Sequence, residues 1–134
     1  MVKKADREIV QQIDQAFASL IVTLKDLARS VPSENLVRSA AAVEQMCGGL
    51  TSNLWDDPFE WTLPETLSNA DRVVEYLSEV DLARARAFDA MDDAALTKYV
   101  SVPSGESKML ISLLLETLVR ASEFRGRASL RKNA

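Results

Sequence analysis

Apolar side chains recur at three- and four-residue steps through most of this chain, the spacing that lines one face of an α-helix. In residues 6–29, Ile9, Ile13, Phe17, Leu20, Leu24 and Leu27 form one continuous stripe. Ser30, Val31, Pro32 and Ser33 interrupt it, and Ser33 predicts the N-cap of a second helix. Residues 34–55 carry the next seam: Leu36, Ala40, Val43, Cys47, Leu50 and Leu54. Gly48 and Gly49 lie inside that seam and cost about 2 kcal/mol relative to two alanines. Close approach of a neighbouring helix is the expected compensation.

A third segment begins after Pro64, a residue suited to a first helical turn, and reaches Met91. Leu67, Ala70, Val74, Leu77, Phe88 and Met91 share one side of it, together with Asp81 and Arg84, which read as an ion pair. Residues 92–96 read as a new cap and a short helical turn, and residues 100–105 as a loop punctuated by Pro103 and Gly105. The fourth segment, residues 106–131, has Leu110, Leu114, Leu118 and Ala121 on its seam, with Leu113, Thr117 and Phe124 beside them. Its wide apolar arc predicts the most buried of the four helices. Arg125, Arg127, Arg131 and Lys132 in its last turns suit the negative end of the helix dipole.

Four amphipathic segments with mostly short connections and no strand-like alternation predict an all-α protein, an antiparallel four-helix bundle filling residues 1–134 as one domain. The one long connection, residues 55–64, is acidic and holds both tryptophans, Trp55 and Trp61. At least one indole is expected to fold back over an end of the bundle. A functional lid is the other reading.

Composition narrows the chemistry. The net charge of -4 argues against nucleic acid as a partner. No apolar run approaches the ~20 residues that cross a bilayer, so no membrane association is expected. The start, Met1 to Asp6, has two lysines but no apolar stretch after them, and no signal peptide is expected. A single cysteine, Cys47, excludes an internal disulfide and suggests a reducing cytoplasm. The chain has no histidine at all, which removes the commonest metal ligand and general base. Cys47, on a helical seam with no histidine to deprotonate it, reads as a small buried hydrophobe.

The fourth segment contains Leu113-Leu114-Leu115-Glu116-Thr117-Leu118-Val119-Arg120-Ala121-Ser122-Glu123-Phe124-Arg125-Gly126-Arg127. This resembles the last helix of the DinB/YfiT-like family of bacterial four-helix bundles, whose motif runs roughly Leu-Leu-x-His-x-x-x-His-Arg-Gly-Gln. The run from Ala94 through Ser104-Gly105-Glu106, and the start of the second helix from Leu36 through Glu44, are similar to the corresponding parts of that family. Arg125-Gly126 is the specific element.

The resemblance implies a divalent metal, often zinc or nickel, held by three histidines, one from the second helix and two from the fourth. Positions four apart share a helix face, so two imidazoles can reach one ion. Anchored on Arg125-Gly126, the two fourth-helix positions fall on Arg120 and Phe124, and the second-helix position on the Ser39 to Ala42 stretch, where Ala40 is the one on the seam. A guanidinium repels a metal, and a phenyl ring and a methyl have no donor atom. The family's metal site is therefore expected to be absent, with no cofactor in its place. Glu44, Glu116 and Glu123 are the polar side chains nearest these positions, and Arg120 is expected to pair with one of them.

Two functions remain. One is a non-catalytic domain binding a small molecule or another protein, and the resemblance implies a homodimer. The other is a metal-independent transferase or isomerase in which Arg120 holds an anionic substrate in the central cavity. A helical partner within a larger complex is a third reading, whose signature would be a contiguous exposed apolar patch.

Overall fold

The computed structural model describes residues 4–30, 33–56 and 69–132. They are mostly helical, with four long helices: α1 (Glu8–Ser30), α2 (Glu34–Ser52), α3 (Ala70–Asp89) and α4 (Leu110–Lys132). Short 3-10 segments precede α1 (Lys4–Arg7) and follow α3 (Asp93–Thr97). Around the core the helices pack in the cyclic order α1, α3, α2, α4, with little contact between α1 and α2.

The stripe on α1 is buried at Ile13, Phe17, Leu20, Leu24 and Leu27, joined by Val10, Ile21 and Ala28. Phe17 and Phe88, both fully buried, meet with ring centroids 5.6 Å apart. Ile9 is half exposed at 52%, so the buried stripe starts one residue later than the spacing suggested. The backbone there serves as a cap instead. Ile9 and Val10 donate their N–H groups to the Asp93 carboxylate at 3.1 and 2.9 Å. Those N–H groups have no partner within α1, and an anion placed there also complements the helix dipole. In return, Arg7 donates to the Phe88 and Met91 carbonyls at 2.7 and 3.1 Å, where α3 ends. Asp93→Ala is expected to destabilise the protein by about 1–2 kcal/mol, read as a lowered urea midpoint with an unchanged slope.

Ser33 caps α2 as expected, its hydroxyl accepting from the Leu36 N–H at 3.2 Å. Asp92 caps the short turn after α3, accepting from Ala95 at 2.9 Å. Asn69 caps α3; Leu67, Pro64 and Trp61 lie outside the described residues. α2 stops at Ser52 rather than Trp55, because Asn53 takes the left-handed conformation (φ 56°) that turns the chain back. Leu54 consequently leaves the seam and is exposed.

Three features depart from the helical pattern. Residues 100–105 are part of a β-hairpin: β1 (Tyr99–Ser101) pairs antiparallel with β2 (Ser107–Met109), Val100 opposite Lys108. Gly105 closes the turn at φ +88°, a conformation glycine adopts without strain. α4 accordingly starts at Leu110 rather than residue 106, because the preceding residues are committed to the hairpin. Nor is α4 the most buried helix. That is α2, with ten buried positions from Leu36 to Gly49, whereas α4 leaves Leu115, Val119 and Leu130 exposed at 46%, 58% and 72%. The small side chains of α2 let it sit between α3 and α4, which the width of α4's apolar arc could not reveal.

The third departure concerns the two glycines of α2. No neighbouring helix explains Gly49. The Trp55 indole does: a Cβ on Gly49 would stand far inside van der Waals contact of ring atoms Cδ2, Cε3 and Cε2. At Gly48 a Cβ would stand 3.0 Å from the Leu54 carbonyl oxygen. The glycines make room for the chain reversal that brings Trp55 back over the end of α2.

Candidate functional site

Trp55 is fixed from three sides. Its ring lies against Gly49, its indole N–H donates to the Asn53 side-chain oxygen at 3.0 Å, and its carbonyl accepts from Gln45 Nε2 at 2.7 Å. An aromatic wall held this way needs little reordering to receive a ligand.

That wall closes one side of a pocket of about 180 Å³ between α2, the hairpin and α4. Gln45, Trp55, Lys108, Glu116, Thr117 and Arg120 give it its polar and aromatic character. Met46 and Leu113 bring apolar surface from the core, and Val102 and Pro103 bring it from the hairpin loop. An apolar lining with a few convergent polar groups is the usual build of a small-molecule site.

Charge in the pocket is unevenly neutralised. Lys108 Nζ lies 2.8 Å from Glu116, and that hydrogen bond holds the ammonium above its ordinary range. Arg120, exposed on α4, forms no ion pair with a described residue. Two cations against one carboxylate leave the pocket one net positive charge, in a chain whose total is -4.

The positions carried over from the family resemblance are not equivalent. Ala40 is fully buried in the core. Its neighbour Ser39 donates to the Ala121 carbonyl at 2.7 Å, tying α2 to α4. Phe124 is half-buried, with the Arg127 guanidinium 5.4 Å from its ring centroid. Arg120 lies at the pocket rim rather than in the interior. The expected pairing of Arg120 with Glu44, Glu116 or Glu123 is not formed: Glu116 binds Lys108, and Glu44 accepts from the Tyr76 hydroxyl. The donor chemistry of Ala40, Arg120 and Phe124 does not fit a divalent metal. Among the described residues no three His, Cys, Asp or Glu side chains are grouped to hold one.

A second polar cluster lies on the other side of α2, where α1 and α3 meet it. Arg84 binds Asp81 at 2.8 Å, the pair expected from spacing, and also Asp14 on α1. Burial opposes the guanidinium's charge, but the hydrogen bonds to the two carboxylates outweigh it and raise its pKa. Cys47 is fully buried nearby, and loss of solvent pushes its thiol up to about 12. It is a packing residue, not a nucleophile. Burial also raises the pKa of Glu44, against the opposing hydrogen bond from Tyr76 and with the help of Glu79.

A raised carboxyl pKa makes Glu44 a pH-dependent burden. Below 4.5, its ordinary value, the carboxyl is protonated whether the chain is folded or not. As pH rises past that point the unfolded chain ionises first, so the folded state loses stability until its own raised pKa is passed. Glu44→Gln is therefore expected to raise the melting temperature at about pH 7 and leave it unchanged at about pH 4, as scanning calorimetry at the two pH values would show.

Arg120 and Glu116 share a face by their spacing alone, and a tryptophan was expected to fold back. Gln45, Lys108 and the lining role of Thr117 had no such signal. The pocket sets α2 and Trp55 against the hairpin and α4, which adjoin each other but lie far from α2 in sequence. Only the hairpin, unrecognised in the sequence, puts Lys108 beside Glu116. Among the described residues no helix is long and apolar enough to cross a membrane. Comparison of the chain with family models, curated proteins and solved structures finds no match.

Proposed function

We propose that this chain is a DinB-like antiparallel four-helix bundle that binds a small planar anion in the pocket beside Trp55, without metal and without catalysis. The observation that carries the reading is Arg120: a guanidinium with no carboxylate partner among the described residues, at the rim of a pocket whose wall is an immobilised indole. A permanently charged planar fork suits a carboxylate or phosphoryl group. The indole suits a flat ring. The volume of about 180 Å³ sets the size, since a cavity of roughly 150 Å³ takes one benzene ring. The family likeness rests on the Arg125-Gly126 neighbourhood and on the presence of four long helices.

The enzymatic alternative, a metal-independent transferase or isomerase, would use the same arginine. It lacks a base in the pocket: the chain has no histidine, the one carboxylate among the lining residues is tied to Lys108, and the thiol lies elsewhere. Binding is therefore favoured over turnover.

Benzoate, phenyl phosphate and neutral benzamide, titrated by calorimetry, test the reading. One of the two anions is expected to bind more tightly than benzamide, and Arg120→Gln to weaken it by about tenfold to a hundredfold, the worth of one charge-assisted hydrogen bond. Equal binding of benzamide, or an Arg120→Gln variant that binds as well as the parent chain, would refute it.

A further inference from the structure

Thr117 lies on the inward face of α4 and is 3% exposed, yet it lines the pocket beside Trp55. Its hydroxyl forms no hydrogen bond with a described residue. The other described threonines all fold back onto a carbonyl three or four residues earlier: Thr23 onto Ser19 at 3.1 Å, Thr51 onto Cys47 at 2.8 Å and Thr97 onto Ala94 at 3.5 Å. That bond is the ordinary outlet for a threonine hydroxyl on a helix. Thr117 does not bond the Leu113 carbonyl. Nor is its oxygen sealed, because no buried side-chain nitrogen or oxygen without accessible surface lacks a partner among the described residues. The hydroxyl therefore opens into the pocket that Thr117 lines. A buried polar group left in this way marks a place where something from outside completes the bond.

The other polar groups of the lining already hold partners. Gln45 donates to the Trp55 carbonyl, the Trp55 indole donates to Asn53, and Lys108 and Glu116 hold each other. Thr117 and Arg120 are the polar lining side chains with no hydrogen bond or ion pair to a described residue. They stand three residues apart on α4 and so share a face, Thr117 on its buried side and Arg120 exposed at the rim. A ligand seated against Trp55 thus meets a permanent cation near the mouth and an uncharged donor and acceptor deeper in. With Lys108 neutralised by Glu116, one positive charge remains. A carboxylate matches it more closely than a phosphoryl group, which carries about two negative charges near neutral pH.

We propose, resting on the anion site described above, that the pocket selects an aromatic carboxylate bearing a hydroxyl at the meta or para position, with Thr117 as the specificity-determining residue. The carboxylate meets Arg120, the ring lies against the Trp55 indole, and the ligand's hydroxyl exchanges a hydrogen bond with Thr117 Oγ1. An ortho hydroxyl does not serve. It stays beside the carboxylate at the rim and bonds to it within the ligand. A phenol remains un-ionised near neutral pH, so the hydroxyl adds no second charge. A ring without it covers Thr117 and leaves that oxygen unpaired, and a site built to bond a hydroxyl discriminates against the analogue that lacks one.

Calorimetric titration of benzoate, salicylate, meta-hydroxybenzoate, para-hydroxybenzoate and phenyl phosphate tests this. Meta- or para-hydroxybenzoate is expected to bind about tenfold more tightly than benzoate. Salicylate and phenyl phosphate are expected to bind no more tightly than benzoate. Thr117→Val puts a methyl in place of the hydroxyl and should bring the preferred hydroxybenzoate down to the affinity of benzoate in the same variant. Thr117→Ser keeps a hydroxyl and should keep the preference. Having no internal bond to lose, the Thr117→Val chain should melt no lower than the parent. Arg120→Gln should weaken benzoate and the hydroxybenzoates by the same factor and leave the preference between them intact. Benzoate binding that ignores Arg120→Gln overturns the anion site itself. With that dependence present, equal affinities for benzoate and both hydroxybenzoates, a preference that survives Thr117→Val, or salicylate or phenyl phosphate as the tightest ligand overturns the selectivity alone. A Thr117→Val chain that melts well below the parent does so too, because it would place the hydroxyl's partner inside the bundle.

Discussion

Replacing Gly49 with alanine is expected to expel the Trp55 indole and remove the pocket with it. The added methyl would overlap three atoms of the ring. Helix α2 cannot yield, because Met46 and Cys47, about one turn back, are packed in the core, so the indole must move. Its hydrogen bond to Asn53 goes with it, and the loss, with the strain of overpacking, is expected to total roughly 1–3 kcal/mol. In a Trp61→Phe background, Trp55 is the remaining tryptophan. Its emission should shift to the red, and binding of an anionic aromatic probe should fall by more than about tenfold. An unshifted spectrum with intact binding would mean that the ring and α2 are not in contact.

Phe17→Ala should have the larger effect on stability. Phe17 is fully buried, near the centre of α1, and its ring meets Phe88 across the α1–α3 interface. Truncation removes that contact and leaves a cavity, at an expected cost of about 3–5 kcal/mol. That is a large share of the ~5–15 kcal/mol that holds a domain of this kind. Ile9→Ala is the internal comparison. The spacing puts Ile9 on the same stripe as Phe17, but Ile9 is 52% exposed, and its truncation should cost less than about 0.5 kcal/mol. Urea unfolding of the two variants separates the stripe as it is spaced from the stripe as it is buried.

Periodicity and burial diverge in the same way elsewhere in the chain. Helical spacing located all four helices because burial acts on whole faces, and Ser33 and Asp92 were legible as caps because their side chains bond only three residues on. The hairpin was not legible. Strands of three residues are too short to show alternation, and Pro103 and Gly105 mark any turn equally well. The end of α2 and the start of α4 shifted for the same reason: Asn53 and the hairpin decide them, not apolar spacing.

At the candidate site, local spacing put Arg120 on the right face but not at the right depth. Depth depends on which neighbours pack against that edge of α4. The Gly48-Gly49 pair signalled close approach correctly, but at Gly49 the partner was an indole six residues away rather than another helix. Gln45 and Lys108 carry no signal in the sequence, since each becomes part of the pocket only through a chain reversal that completes it.

Two sets of hydrogen bonds, Arg7 to the Phe88 and Met91 carbonyls and the Ile9 and Val10 N–H groups to Asp93, tie the start of α1 to the end of α3. Each clasp joins positions more than 80 residues apart, so neither forms until most of the chain is in place. Amide protons of Ile9 and Val10 should therefore exchange with solvent together with those around Met91, in a single opening event rather than by independent fraying. Trimming the chain to remove Arg7 would loosen an end of the molecule that lies far from the cut in sequence. Two remote stretches share one latch.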